Sequence, residues 1–112
     1  MKRKVAWAEA ARRDLDVIVA YLADRNPKAA LEVLDRVKQT ANSLTSLSER
    51  GRVVPELARV SVHEYRELVA APYRLIYRVC ERDVVVVAVL DACRSLEDVL
   101  LERLIRLDPG GA

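Results

Sequence analysis

Apolar residues in the first half of the chain recur with the period of an α-helix over two stretches. Residues 3–7 can form a short strand, and from Ala8 onward the period changes to three or four residues. The first predicted helix places on one face Ala11, Leu15, Ile18 and Leu22. Asn26 followed by Pro27 predicts the start of a second helix, because Asn caps helix N-termini and Pro is tolerated in the first turn. That helix, at 27–47, places on one face Ala30, Leu34, Val37, Ala41 and Leu44.

The second half of the chain changes to patterns that are typical of strands. Strands are expected at 63–70, 73–80 and 84–92, and the last is almost wholly apolar, as in a strand covered by other elements. The segment 50–62 contains Gly and Pro without a clear period, which indicates a loop. Ser95 is expected to cap a final helix that ends at the Asp-Pro-Gly-Gly sequence from Asp108. One side of this helix carries Leu96, Leu100, Leu104 and Leu107.

The predicted order of elements is β-α-α-β-β-β-α, which indicates an α+β fold. Two one-sided helices close in sequence favour an αα-hairpin. We expect this N-terminal αα-hairpin and the C-terminal helix to pack on a mostly antiparallel twisted sheet, with Trp7 and Tyr21 between helices and sheet. A chain of 112 residues is long enough for one core. Residues 1–108 are therefore expected to form a single domain, and residues 109–112 a short flexible tail.

The segment 65–79, with the sequence YRELVAAPYRLIYRV, predicts two strands joined by a tight turn at Ala71–Pro72. Because strand side chains alternate between two faces, Arg74 and Arg78 share a face, and Tyr73 and Tyr77 lie on the other. An unpaired guanidinium is costly to bury, so the arginine face is expected to be a docking surface for phosphate, nucleic acid or an acidic protein. The alternative is that these arginines pair across the sheet with carboxylates, for which the candidates are Glu64, Glu67 and Glu81.

Composition and charge exclude several functional classes. Hydrophobic residues make up 52% of the chain and charged residues 32%, as in a globular protein, and the net charge of +2 excludes a histone-like polycation. No apolar stretch is long enough to span a membrane, and the expected location is the cytoplasm. Cys80 and Cys93 lack a metal-binding spacing and are expected to be buried reduced thiols, and His63 is expected to be a surface or turn residue. Neither a metal nor a cofactor is expected.

An ordered series of short motifs points to a known family. The series comprises Trp7, Ala10, Asp14-Leu15, Tyr21, Pro27, Ala29-Ala30, Gly51-Arg52, Pro55-Glu56-Leu57, Tyr65-Arg66-Glu67-Leu68 and Tyr73-Arg74-Leu75-Ile76-Tyr77-Arg78. Together these motifs resemble the RelE/ParE superfamily of bacterial toxins from type II toxin–antitoxin modules, over nearly the whole chain from Trp7 to Leu104. The resemblance implies a partner antitoxin, ParD-like or related, that forms a hetero-oligomer with the toxin.

The resemblance also implies how the antitoxin binds. In this superfamily the antitoxin's C-terminal segment typically lays a helix in the groove of the αα-hairpin and often adds a strand to the sheet. The residues expected to contact it in this chain are Leu15, Ile18, Leu22, Leu34 and Val37.

The superfamily divides by target, and the residues must choose between the branches. RelE-like members cleave messenger RNA on the ribosome, and the resemblance places Arg66, Arg74 and Arg94 at cationic positions of that ribonuclease site. RelE-like enzymes also carry lysines on the strand where this chain has Glu67 and Leu68, and a tyrosine in the last helix, where it has none. The groups that RNA cleavage needs for proton transfer are therefore incomplete.

ParE-like members bind and trap DNA gyrase without catalysis, and they share the YREL and YRxxYR motifs. The sequence therefore favours a ParE-like gyrase inhibitor that does not bind DNA sequence-specifically. Its expected target-binding residues are Arg66, Arg74, Arg78 and Arg94. The segment Asp91-Ala92-Cys93-Arg94 departs from many ParE-like members, which carry a histidine before this arginine. A RelE-like ribonuclease and an inactive antitoxin-binding module remain alternatives.

Overall fold

The computed structural model describes residues 2–100 and has an α+β architecture. The strands are β1 (Lys4–Trp7), β2 (Arg52–Val53), β3 (Tyr65–Ala70), β4 (Tyr73–Val79) and β5 (Asp83–Asp91). The helices are α1 (Glu9–Arg25), α2 (Pro27–Asn42) with a 3₁₀ turn at Ser43–Thr45, α3 (Pro55–Ala58) and α4, which begins at residue 96. The predicted fold class and element order are confirmed, and the later part of the predicted final helix and the tail at 109–112 lie outside the described residues.

The described strands form one sheet in the order β1-β5-β4-β3-β2. Strand β1 runs parallel to β5, whereas the β5–β4, β4–β3 and β3–β2 pairs are antiparallel. A parallel pair needs a crossover connection longer than a turn. Helices α1 and α2 lie between β1 and the rest of the sheet in sequence, and they cover one of its faces.

Asn26 separates the two helices of the αα-hairpin in the predicted way. Its backbone N–H donates to the Leu22 carbonyl over 2.7 Å, and its side-chain oxygen accepts from the N–H of Ala29 over 3.2 Å. One residue thus ends α1 and caps α2, with Pro27 in the first position of the new helix.

Helix α2 ends at Asn42, which is earlier than the predicted residue 47. Serine hydroxyls turn back on the helix there: Ser43 Oγ donates to the carbonyl of Thr40 and Ser48 Oγ to that of Leu44. Such bonds offer the backbone an alternative to the α-helical ladder. The chain therefore tightens into a 3₁₀ turn and leaves the helix.

The sheet is covered on both faces at one end, which explains why β5 is apolar almost throughout. The larger cluster lies under the αα-hairpin and includes Ala11, Leu15, Val33, Val37, Ala41, Leu75, Tyr77, Val84 and Val86. The smaller cluster lies on the opposite face, under α3 and α4, and consists of Val54, Ile76, Ala88, Leu90, Leu96 and Val99. The prediction of a covered strand is confirmed.

The segment predicted as a loop at 50–62 contains the short elements β2 and α3. Val54 between them is fully buried, and Pro55 takes the first position of α3. Packing of Val54 in the smaller cluster and pairing of β2 with β3, rather than any periodicity, hold the segment against the sheet.

The buried side of α4 differs from the predicted one. Asp98 N–H donates to Ser95 Oγ over 3.2 Å, so the predicted cap is present. Leu96 and Val99 are buried, whereas Leu100 is 43% exposed. The positions 96 and 99 face the sheet, and the predicted Leu104 and Leu107 lie outside the described residues.

Tyr21 does not pack between helix and sheet. It is 58% exposed, and the guanidinium of Arg25, one turn later on α1, lies 3.8 Å from the centre of its ring. Trp7 is half-buried against the larger cluster, as predicted. Across residues 2–100, no helix combines the length and apolar character that a membrane span requires.

Candidate functional site

Arg74 is the second residue of β4 and lies on the sheet face that α3 and α4 cover. It is only 7% exposed. The expectation that it belongs to an exposed docking face is wrong, because the short elements that sequence periodicity missed close over it. The alternative, that the arginine pairs with a carboxylate across the sheet, is correct because Arg74 pairs with Glu67. It is incomplete because Arg74 also pairs with Glu56, which lies outside the sheet.

The Arg74 guanidinium is held by two carboxylates. Both terminal nitrogens donate to Glu56 of α3 over 2.9 Å, and Nε and Nη2 also donate to Oε1 of Glu67 on β3. Bidentate pairing of this kind is directional and roughly twice as strong as a neutral hydrogen bond. The other oxygen of Glu67 accepts from Arg52 of β2 over 2.6 Å.

Glu56 extends this network to the last helix. Its Oε2 accepts the backbone N–H of Leu96, in the first turn of α4, over 3.1 Å. A carboxylate at this position satisfies an N-terminal amide and interacts favourably with the helix dipole. Glu56 therefore joins α3, β4 and α4, and we call Arg52, Glu56, Glu67 and Arg74 the Arg74 network.

Protonation states in the Arg74 network follow from these contacts. Hydrogen bonds from Arg74 lower the pKa of Glu56 to about 2, helped by the Leu96 N–H and opposed by burial. The same pairing with Glu56 raises the pKa of Arg74 above its ordinary value. The formal charges of the two arginines and two glutamates of the network cancel.

The lowered pKa of Glu56 predicts a specific loss of stability in acid. A carboxyl whose folded pKa is about 2 and whose ordinary value is 4.5 adds stability above pH 4.5 that is lost as the pH falls toward 2. Denaturant unfolding of the wild type and Glu56→Gln at pH 7, 4 and 2.5 measures this contribution. The variant is expected to be less stable at pH 7, and the difference is expected to shrink toward pH 2.5. A difference independent of pH would contradict the assignment.

The four arginines expected to bind the target do not form one cluster. Arg66 is half-buried on the sheet face that α1 and α2 cover, where its Nη1 donates to the Gly51 carbonyl over 2.8 Å. Arg94 is exposed in the turn after β5, and its carbonyl lies 3.5 Å from Arg74 Nη1. Arg78 is exposed near the end of β4. The structure therefore brings together only Arg74 and the backbone of Arg94.

Tyr77 and Gly51 form a contact that the sequence did not reveal. The Tyr77 hydroxyl is buried and accepts the backbone N–H of Gly51 over 2.9 Å. Burial raises the pKa of this phenol above its ordinary value. Gly51 needs to be small here, since a Cβ would lie 2.5 Å from the Tyr77 hydroxyl and 2.6 Å from the Glu67 carbonyl oxygen. Tyr77 therefore supports the strands that carry the Arg74 network.

Two of the five residues expected to contact an antitoxin face inward. Leu15 and Val37 are 6% and 1% exposed and belong to the larger core cluster. The helical period places Leu15 and Val37 on the same faces as the more accessible apolar residues of α1 and α2. It does not show which residues of a face are buried in the core and which lie at the edge of the core. Ile18, Leu22 and Leu34 are half-buried at that margin and remain accessible.

Two grooves flank α1. One, of about 430 Å³, contains Ile18, Leu22 and Tyr73 and ends near Val99 of α4. The other, of about 450 Å³, contains Trp7, Val19 and Leu34 and lies between α1 and α2. Three apolar side chains of the hairpin are largely exposed. Val17 and Tyr21 line the first groove, and Leu31 lies on the outer surface of α2. The hairpin thus offers an apolar surface for a partner.

The two cysteines and the single histidine lie in different parts of the fold. Cys80 is half-buried and Cys93 exposed, so the expectation of two buried thiols is wrong. His63 is exposed in the turn before β3, as predicted. From Lys2 to Leu100, no group of three or more His, Cys, Asp or Glu residues is placed to hold a metal ion.

Comparison with protein families decides the relationship. The model of the ParE toxin of type II toxin–antitoxin systems, parDE, matches residues 5–96. The chain belongs to this ParE toxin family. It is the toxin component of a type II toxin–antitoxin system, and the predicted membership of the RelE/ParE superfamily is confirmed.

Individual relatives of this chain are also named as toxins. The putative toxin Y4kP of Sinorhizobium fredii is 32% identical over 88% of this chain and 98% of its own length. Toxin RelE2 of Caulobacter vibrioides is 34% identical over 81% of this chain and 97% of its own length. Because a chain that matches the ParE model is also similar to a protein named RelE2, sequence identity does not separate the two branches.

Solved structures show the same fold. The chromosomal ParDE toxin–antitoxin system of P. aeruginosa matches with a TM-score of 0.67 at 19% identity, over 80% of this chain and 96% of the other. The toxin–antitoxin complex RelBE2 of Mycobacterium tuberculosis matches with a TM-score of 0.54 at 22% identity, over 81% and 99%. At these identities the fold alone is shared.

Proposed function

We propose that this ParE-family toxin arrests growth by binding DNA gyrase as a non-catalytic inhibitor in the cytoplasm, and that a ParD-like antitoxin neutralises it. The observation that carries the proposal is the neutral Arg74 network. RNA cleavage at this face would need a cation directed at the scissile phosphate. Arg74 instead directs its donors at Glu56 and Glu67.

The surroundings of Arg74 support the same conclusion. Glu67 is 2% exposed and its carboxylate occupies the donors of Arg74 that a phosphate would need, so an incoming anion meets negative charge. Glu56 closes the other side of the guanidinium and is itself fixed by the Leu96 amide. Displacing either carboxylate would leave a buried charge unpaired, which is costly. The contacts on this face join α3, β3, β4 and α4 to one another.

A RelE-like ribonuclease is the second candidate, because RelE2 of C. vibrioides is 34% identical to this chain. In that case Arg66 and Arg94, rather than Arg74, would have to contact the RNA. Arg66 donates to the Gly51 carbonyl from β3 and Arg94 lies in the turn after β5, so the two belong to different elements, and this disfavours the ribonuclease.

The antitoxin is proposed to cover the αα-hairpin. Helix-in-groove binding uses apolar anchors three or four residues apart. The accessible anchors here are Ile18, Leu22 and Leu34 at the grooves, together with Val17, Tyr21 and Leu31 on the surface. The structural neighbour from P. aeruginosa is a ParDE toxin–antitoxin system, which is in keeping with such a hetero-oligomer.

Controlled expression without an antitoxin tests the proposed function. Plasmid supercoiling and messenger integrity are measured in the same cells at successive times after induction. We expect loss of negative supercoiling and DNA damage while messenger RNA stays intact. Early cleavage of translated messengers with unchanged supercoiling would establish the ribonuclease instead. Normal growth at verified protein levels would indicate an inactive antitoxin-binding module.

A further inference from the structure

Arg78 and Arg74 lie on the same face of β4 but have different surroundings. Arg74 is buried and ion-paired, as described above. Arg78 is exposed, and its side chain makes no hydrogen bond or ion pair with any residue from 2 to 100. The smaller cluster on this face includes Ile76 of β4, and Tyr65, the β3 neighbour of Arg78, packs against it, whereas Arg78 itself is not part of it. The two arginines of the YRxxYR motif therefore have different roles.

Arg78 sits in a row of side chains that crosses four strands. Its neighbour on β3 is Tyr65, its neighbour on β5 is Val85, and Val85 in turn pairs with Ala6 of β1. Adjacent residues such as Tyr77 and Val84 point to the larger cluster under α1 and α2, so these four point to the other face of the sheet. Four strands spaced at about 4.8 Å make the row roughly 14 Å wide. We call it the Arg78 row.

The Arg78 row is accessible over its whole width in the described part of the chain. Ala6 and Arg78 are exposed, and Tyr65 and Val85 are half-buried. Lys4 lies beside the row on β1 and is also exposed. A guanidinium between an aromatic and an aliphatic side chain has the composition of an interface centre, where Tyr and Arg are enriched.

We propose that the Arg78 row is the surface through which the toxin contacts its target, and that it receives a carboxylate-bearing protein surface of DNA gyrase. This inference rests on the proposed function. The arginine supplies the directional donors for a carboxylate, and Tyr65 and Val85 supply flat apolar area on either side.

The charge around the row favours a protein over a nucleic acid. A nucleic acid is bound by neutralising several phosphates, which needs a stripe of cations. The row itself carries one cation, Arg78, and the exposed Lys4 beside it has Asp83 at the neighbouring register position on β5. The local surface therefore mixes both signs of charge and does not form a stripe of cations. A single arginine with apolar neighbours suits a local acidic protein contact.

Binding of purified gyrase holoenzyme to the full-length toxin tests the inference. Arg78→Glu is compared with the wild type, with Arg78→Lys and with Lys28→Glu, which makes the same charge change at an exposed position of α2 on the other side of the sheet. We expect Arg78→Glu to weaken binding roughly tenfold or more, Arg78→Lys to retain part of the affinity, and Lys28→Glu to bind like the wild type. Thermal unfolding checks that every variant is folded.

The failure of this inference can be told from the failure of the proposed function. If the wild type binds gyrase and Arg78→Glu binds equally well, the Arg78 row is not the contact surface and the proposed function stands. If Lys28→Glu weakened gyrase binding as much as Arg78→Glu, the loss would come from the change in net charge alone, and the inference would also be wrong. If the wild type does not bind gyrase at all, the proposed function fails, and the inference fails with it.

Discussion

Replacing Arg74 with alanine is expected to destabilise the protein by about 3–5 kcal/mol, because breaking a buried ion pair leaves the remaining charges without compensation. The buried Glu67 and the half-buried Glu56 would then lose their shared partner, with Arg52 the sole remaining cation of the network. Denaturant unfolding at pH 7 measures the loss as a shift of the midpoint. The Leu96 amide contact depends on Glu56, so the loss is expected to include weaker docking of α4.

Two further variants distinguish the effect of the ion pairs of Arg74 on stability from the effect of removing a positive charge. Arg74→Lys keeps one positive charge but cannot form the forked bonds to Glu56, and an intermediate loss is expected. Arg78→Ala removes an exposed arginine of the same strand, and its effect is expected within about 0.5 kcal/mol of the wild type. Equal stability of Arg74→Ala and the wild type would show that Arg74 is not the structural centre described here.

Gly51→Ala is expected to cost about 2–3 kcal/mol, since inserting atoms into a closely packed site forces neighbours to move. The new Cβ would lie 2.5 Å from the Tyr77 hydroxyl and 2.6 Å from the Glu67 carbonyl oxygen. The second of these is backbone of a paired strand and cannot move without disturbing the sheet. Thermal or denaturant unfolding at neutral pH measures the cost.

Tyr77→Phe gives the matched control for this substitution. The single change removes the acceptor of the Gly51 N–H, and the double variant Gly51→Ala/Tyr77→Phe also removes the hydroxyl clash. A double-mutant cycle is therefore expected to show coupling, with residual cost from the Glu67 carbonyl. Full stability of Gly51→Ala would contradict the tight approach of β2 to β3 and β4.

The sequence predicts correctly those parts of the fold that depend on residues close to one another in the chain. The Asn26-Pro27 pair caps and starts α2 through its own side chain and ring. The hairpin of β3 and β4 follows from alternation around Ala71–Pro72, where Ala70 pairs with Tyr73. Both depend on residues within a few positions of one another, and both predictions are confirmed.

The burial of Arg74 depends on contacts that are distant in sequence. Glu56 precedes it by 18 residues, in a segment without periodicity that also packs against the sheet through Val54. Alternation assigns Arg74 to a face but does not say whether that face is covered. The same strand shows both outcomes, since Arg78 is exposed on the face where Arg74 is buried.

The face of α1 shows a similar limit. A period of 3.6 residues places Leu15, Ile18 and Leu22 on one stripe. The structure divides the stripe, with Leu15 in the core and Ile18 and Leu22 at its margin. The pattern of one helix gives the direction of each side chain around the helix axis but not its burial, which depends on the elements that pack against the helix.

The supercoiling reaction of purified gyrase tests the central claim most directly. Relaxed plasmid, ATP and gyrase are incubated with increasing amounts of the toxin, and the DNA topology is read from gels. Binding without catalysis predicts that supercoiling stops at toxin amounts comparable to those of gyrase, and that DNA cleaved by the trapped enzyme accumulates. Unchanged supercoiling, together with cleavage of messenger RNA on ribosomes by the same toxin preparation, would contradict the account.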